Sequence, residues 1–265
     1  MPYPTATPEQ IAFFNAHGWL VVEDAIPQAD LDELEHYCDL ILEQKEKLAF
    51  DWAWDEKEKR DERSFRIVQS SPQFVWPEAK NAAYRKWLVA FGRALSGLEL
   101  DFWYDQFLGK PPGKSVPTYW HQDEGYWGRN LRNKGATCWI PLIDVDATNG
   151  CMHFIDGGHK GEVLEHHAVE GMASDLLTCD PAGKTVVCPI KRGSVTFHHS
   201  NTPHMTTANV SKTWRKAVSN HMQAHGAGGE GDHYPWKFYV NQRTGERIVP
   251  QTRADGVPIE MMRRK

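Results

Sequence analysis

In the stretch TYWHQDEGYWG, residues 118–128, His121 and Asp123 stand two apart within a run of aromatic residues that has little helical periodicity. Side chains two apart on a strand share a face. An imidazole and a carboxylate there could converge on one point and supply half of a metal site. Taken alone the pair is a weak signal, because a strand histidine with an ordinary hydrogen bond reads the same way. Companions stand in RGSVTFHHSNTPHMTTANVSKTWRKAVSNHM, residues 192–222, where a strand at 193–199 leads through the turn SNTP to His204. A third ligand at His204 completes two histidines and one carboxylate. This facial set leaves coordination positions open and suits non-haem Fe(II) oxygen chemistry. Zinc hydrolases use similar ligands, so the set by itself leaves the metal open. His198 and His199 compete with His204 for the third place, and spacing physics alone does not exclude His199. Arg215 follows His204 by eleven residues and opens the run RKAVSNHM, which is expected to pair with the strand carrying His204. A guanidinium held on a strand near a metal can clamp a carboxylate with two parallel hydrogen bonds; unaided, it could equally be half of a surface ion pair.

These residues need elements to position them. Thr7 can cap a helix with Pro8 at its first position, and Gly18 should stop it. WLVVEDAI, residues 19–26, reads as a strand. Residues 27–50 place Leu31, Leu34, Cys38 and Leu42 near helical spacing, with acidic residues early and lysines late, as the helix dipole prefers. Residues 51–66, DWAWDEKEKRDERSFR, read as a solvated helix or loop, with a mobile lid as the lesser reading. Another amphipathic helix is expected over 77–97, ended by Gly97. From about residue 100 the texture changes to short β-rich runs separated by Gly, Pro and Asn. Helices followed by evenly spaced strands predict a mainly β fold with flanking α-helices, a double-sheet jelly roll rather than βαβ units. We expect one domain over 1–265, with a helical part to about 98, a β core over about 99–225 and a tail from 226.

The chain has 265 residues, 40% apolar, with net charge −5 and its basic residues scattered. That argues against nucleic acid as a partner. No window approaches 18 consecutive apolar residues, so no membrane span is expected. The five cysteines contain no CxxC and read as buried or idle thiols of a reducing cytoplasm. Eleven Trp and eight Tyr lean toward a small-molecule pocket. GAGGEG at 226–231 fits a dinucleotide fingerprint in form but lacks the following helix, and NVS at 209–211 is a sequon only in a secreted chain.

His121-x-Asp123, His204 and the Arg215 eleven residues later resemble the phytanoyl-CoA dioxygenase family of Fe(II)/2-oxoglutarate oxygenases. EQIAFFNAHGWLVVEDAI resembles the family's helix-strand entry, DQFLGKPPG the strand and turn before the first ligand, and CWIPLIDVDATNGCMHFIDGGHKG its central strand and Asn-Gly turn. The likeness runs from about residue 8 to 222 and departs at IDGGH, where the family has Pro before Gly-Ser-His. It implies a cupin-like double-stranded β-helix with iron at its mouth. It also implies His121, Asp123 and His204 as metal ligands, the spacing to Arg215 selecting His204 over His199. Arg215 would hold the distal carboxylate of 2-oxoglutarate, Trp127 and Thr206 match further positions around that co-substrate, and Gln106 and Thr137 are carried over with them. The remaining histidines, His153, His159, His166, His167, His221 and His225, are expected in loops or packing.

The implied cofactors are Fe(II), 2-oxoglutarate and O2, with succinate and CO2 released. An intact Asp123 argues for hydroxylation, desaturation or ring formation rather than halogenation. The aromatic residues Trp103, Tyr104, Tyr119, Trp120, Tyr126 and Trp127 favour a compact metabolite or biosynthetic intermediate, and no basic cluster stands ready for the phosphates of CoA. The alternatives are an acyl-CoA hydroxylase of the same family, a zinc-dependent hydrolase, and a cupin-like binding protein without turnover.

Overall fold

Helix α1 (Pro8–His17) opens on a capping box: Thr7 Oγ1 accepts from the Gln10 amide, and the Gln10 side chain accepts from the Thr7 amide. Gly18, at φ 82°, closes it in the left-handed conformation that glycine adopts without strain. The computed structural model describes residues 2–53, 55, 57–59, 64–127, 134–172 and 176–225, and the backbone of 239–240 and 247–248. The GAGGEG segment, the rest of the tail and residues 54, 56 and 60–63 of the charged stretch lie outside the described residues.

In chain order follow β1 (Trp19–Val22), α2 (Gln28–Glu43), α3 (Lys45–Leu48), β2 (Phe50–Asp51), β3 (Val68–Ser70), α4 (Ala83–Ser96), β4 (Leu100–Lys110), β5 (Thr118–His121) and α5 (Asp123–Trp127). Then come β6 (Gly135–Pro141), β7 (Met152–Ile155), β8 (His167–Ala168), β9 (Leu177–Thr178), β10 (Thr185–Cys188), β11 (Val195–His199), β12 (His204–Thr206) and β13 (Arg215–Ala224). The helix expected over 77–97 is shorter than its pattern. Ala82 is extended and separates a 3-10 turn at Pro77–Asn81 from α4, which Gly97 ends as expected.

Two antiparallel sheets face each other. The larger has the order β1-β11-β6-β13-β4-β3-β2 and the smaller β10-β7-β12-β5. This is the jelly-roll architecture expected from the strand spacing, with one correction. The strand opened by Arg215 does not pair with the strand of His204: β13 lies between β6 and β4 in the large sheet, whereas β12 lies between β7 and β5 in the small one. The helical half also contributes β1, β2 and β3 to the large sheet, of which the sequence signalled only β1.

Alternation along the large sheet divides its two faces. Phe197, Cys138, Ile140, Val218 and Phe107 join the core formed with Phe14, Leu31, Leu34, Leu88 and Phe91 of α1, α2 and α4. Each large apolar side chain buried there contributes about 1.5–3 kcal/mol. Their strand neighbours His198, Thr137, Trp139, Ser219, His221 and Gln106 line a cavity between the sheets. The start of the charged stretch is a second correction. Asp51, Trp52 and Ala53 are buried rather than solvated, and Trp52 reaches the cavity. Asp51 Oδ1 accepts from the amides of Ala53, Arg66 and Ile67, pinning both ends of the stretch, and burial pushes its carboxyl up to about 7.

Candidate active site

β5 ends at His121, and the chain turns before Asp123, which opens the short helix α5. The shared strand face expected for these two residues is therefore corrected: a turn, not the pleat, brings them together. Gln122 holds that turn. Its amide nitrogen donates to Asn201 O, and its oxygen accepts from the Leu164 amide. Across the small sheet, His204 on β12 sits directly opposite His121. One ligand atom from each of His121, Asp123 and His204 lies within 4.8 Å of the others, and all three residues are buried.

The two imidazoles are prepared alike. His121 Nδ1–H donates to Tyr119 O at 2.7 Å and His204 Nδ1–H to Thr202 O at 2.9 Å, each to the carbonyl two residues back. That bond fixes the tautomer and leaves Nε2 with a free lone pair. Burial holds His121 down at about 4 and His204 well below the ordinary imidazole value, with His121 and His198 adding to the shift at His204. Burial would raise Asp123, but His221, His198 and His204 beside it outweigh that and hold its carboxyl well below the usual range. Two neutral imidazoles and an ionised carboxylate are the protonation states a divalent cation requires.

Asp123 faces a row of residues paired across the large sheet. Trp19, His198, Thr137, His221 and Tyr104 stand opposite one another on β1, β11, β6, β13 and β4. Asp123 Oδ2 accepts from Thr137 Oγ1 at 2.5 Å and lies 3.5 Å from both His198 Nε2 and His221 Nδ1. Oδ1 faces His204 Nε2 at 3.6 Å.

Arg215 also lines the cavity. The guanidinium is fully buried. Nη1 donates to Leu108 O at 3.1 Å, whereas Nε and Nη2 have no hydrogen-bond partner among the described residues. Burial lowers Arg215 to about 9. Lys110, its cross-strand partner, is also fully buried and donates to Thr206 Oγ1, Thr206 O and Thr207 O. Burial and the neighbouring Arg215 hold Lys110 well below the ordinary lysine range. Among the described residues no carboxylate pairs with either cation. Two buried basic groups without a counter-ion are costly to keep charged unless an anion completes them.

Of the residues expected around the co-substrate, Arg215, Thr206, Gln106 and Thr137 line the cavity. Trp127 is not among its lining residues; its indole N–H donates to the Tyr104 hydroxyl at 2.8 Å and its ring packs edge-on against His221. His199 lies on the other face of β11, stacked on Phe14 and His159, away from the ligand cluster. Three functional positions escaped sequence reasoning. His221 was assigned to packing, although its even spacing from Arg215 along one strand puts both on one face. Lys110 carried the same signal relative to Gln106. His198 could not be separated from His199 without knowing which face of the strand looks inward.

Residues 14–217 match the family described as Phytanoyl-CoA dioxygenase (PhyH). The chain belongs to the phytanoyl-CoA dioxygenase family. It is thus an enzyme of the Fe(II)/2-oxoglutarate-dependent dioxygenase class, as its metal-site motif implied. The peroxisomal phytanoyl-CoA dioxygenase of Bos taurus is 24% identical over 227 residues, covering 81% of this chain and 67% of that protein. A probable alpha-ketoglutarate-dependent hypophosphite dioxygenase of Stutzerimonas stutzeri is 29% identical over 139 residues, 47% of each chain. Among solved structures, EvdO2 from Micromonospora carbonacea var. aurantiaca, complexed with 2-oxoglutarate, superposes with a TM-score of 0.65 at 24% identity, covering 84% of this chain and 93% of its own. The epimerase SnoN, in complex with Fe3+, alpha ketoglutarate and nogalamycin RO, gives 0.66 at 21% identity, covering 82% of each. These likenesses extend the family's jelly-roll fold to this chain. No helix among the described residues is long and apolar enough to cross a membrane.

Proposed function

We propose that this phytanoyl-CoA dioxygenase family member hydroxylates, or otherwise oxidises, a C–H bond of a compact organic metabolite, with His121, Asp123 and His204 holding Fe(II). The observation that carries the reading is the pairing, in one cavity, of this three-ligand cluster with a buried Arg215 that has two unpartnered nitrogens. When bound, Fe(II) supplies the oxygen chemistry that couples decarboxylation of 2-oxoglutarate, giving succinate and CO2, to substrate oxidation. The relatives' names and the co-substrate present in EvdO2 and SnoN support that assignment.

The protein's own part is binding, orientation and exclusion of water. Arg215 Nε and Nη2 donate to the distal carboxylate of the co-substrate, and Lys110 and Thr206 flank it. Trp52, Leu108, Trp139, Met152 and Met205 give the rest of the cavity apolar walls, which suit a small organic substrate. The five free, buried cysteines fit a reducing compartment such as the cytoplasm.

The deciding test is anaerobic titration of the Fe(II)-loaded protein with 2-oxoglutarate, followed by the weak visible charge-transfer band of bidentate chelation. The band should appear in the native protein and be lost in Arg215→Ala. Iron binding without the band would overturn the oxygenase reading and favour a zinc hydrolase or a binding protein. Screening small metabolites against acyl-CoA thioesters for 2-oxoglutarate-dependent turnover then tests the substrate class.

A further inference from the structure

Thr137 and His221 were expected, respectively, near the co-substrate and in packing, yet both are directed at Asp123. A threonine hydroxyl has one proton, and Thr137 Oγ1 commits it to Asp123 Oδ2 at 2.5 Å. The 2.9 Å contact between that hydroxyl and His221 Nδ1 must therefore have the imidazole as donor. With Nδ1 protonated, the neutral ring accepts at Nε2, so its 3.1 Å contact with Gln106 continues the chain with the amide turned to present its NH2. Stacking on Tyr104, with ring centroids 4.3 Å apart, and edge contact with Trp127 fix the His221 ring. All four residues of the relay are buried or line the cavity, so water is a poor competitor for these bonds.

We propose that Gln106, His221 and Thr137 form a relay that positions Asp123, occupying Oδ2 so that Oδ1 alone is offered toward His204. Thr137 and His221 are positioning residues in this scheme. A carboxylate free to rotate could present both oxygens, taking a position that the co-substrate or oxygen needs. With Oδ2 capped, Asp123 would offer a bound metal a single oxygen beside the two imidazoles. The inference rests on the reading of His121, Asp123 and His204 as a metal site.

The experiment is anaerobic titration with Co(II), a spectroscopic substitute for Fe(II), reading both affinity and the ligand-field spectrum. Thr137→Val keeps the shape and removes the donor. It should weaken Co(II) about 10- to 100-fold and change the spectrum, as loss of an outer hydrogen bond to a ligand does elsewhere. Thr137→Ser restores the hydroxyl and should recover native affinity and spectrum. His221→Phe keeps the stacking but removes the Nδ1 donor, and should weaken Co(II) less than Thr137→Val does, because it acts on the carboxylate only through the Thr137 hydroxyl. Circular dichroism of each metal-free variant establishes that it is folded, and should Thr137→Val fail to fold, His221→Phe decides. Native affinity and spectrum in the folded Thr137→Val and His221→Phe variants would overturn the relay while leaving the metal site intact. Failure of the native protein to bind Co(II), or native binding by Asp123→Ala, would instead overturn the metal-site reading and the relay with it.

Discussion

His121 and His204 are direct cross-strand partners on β5 and β12, with ring centroids 4.1 Å apart. Two residues distant in sequence are thereby held at a fixed separation by ladder hydrogen bonds rather than by loops. Replacing either with Ala should abolish Fe(II) or Co(II) binding while the circular dichroism stays near native. His199→Ala should keep the metal and lose only stability, because its ring packs on Phe14 and His159. Calorimetric titration of the three variants checks this, and loss of metal in His199→Ala with retention in His204→Ala would reverse the assignment.

Arg215 is a buried charge with one backbone acceptor. Arg215→Met should weaken 2-oxoglutarate about 10- to 100-fold, the loss expected for one or two charge-assisted hydrogen bonds, while Fe(II) affinity is preserved. Without co-substrate the same variant should melt no lower than native, since it removes a desolvated cation with little to compensate it. Thermal melts with and without 2-oxoglutarate read both effects. Unchanged co-substrate stabilisation in the variant would remove Arg215 from the site.

The acid behaviour of the metal-free protein follows from its histidines. The folded state holds His121 at about 4 and His204 well below 6.5, so the unfolded chain takes up these protons first as pH falls. The stability contributed by these two histidines is therefore full above about pH 6.5 and is lost progressively as the pH drops through the folded-state value near 4, while Asp51, raised to about 7, takes up its proton first in the folded state and works the other way over the same window. Asp123, held below the usual carboxylate range, adds its loss only at still lower pH. The urea midpoint of the native protein should fall across this window relative to that of His121→Phe, in which Asp51 is unchanged. A difference between the two that is independent of pH would contradict the burial argument.

Gly150 lies behind the Arg215 guanidinium at φ 99°, and a Cβ there would meet Thr207 O at 2.8 Å and Arg215 Nε at 3.4 Å. Gly150→Ala should lower stability by about 1–3 kcal/mol through backbone strain and crowding. It should also weaken 2-oxoglutarate more than the metal, because it presses on the clamp and not on the ligands. Parallel titrations with co-substrate and Co(II) check the order of the two losses.

Local chemistry made much of this legible. The cap at Thr7, the stop at Gly18 and the strand spacing after residue 100 depend on near neighbours in the chain, whereas the choice of His204 over His199 came from the family resemblance. What was not legible depends on which strands meet. Assigning β13 to the sheet opposite β12 requires the order of strands in space, which no short-range pattern encodes. The turn at Gln122 that carries Asp123 off the strand rests on Asn201 and Leu164, both remote in sequence. Adjacent histidines such as His198 and His199 point to opposite faces, so a single register decides which is functional.

β1 is one edge of the large sheet, and among the described residues it pairs with β11 alone, Trp19 opposite His198 and Val22 opposite Val195. The partners come from opposite ends of the described chain. During synthesis, therefore, β1 emerges early but must wait for most of the polypeptide before it can pair, and loop closure of that length is slow. Until it docks, β11, with the apolar Val195 and Phe197 beside His198, presents an open edge to other nascent chains.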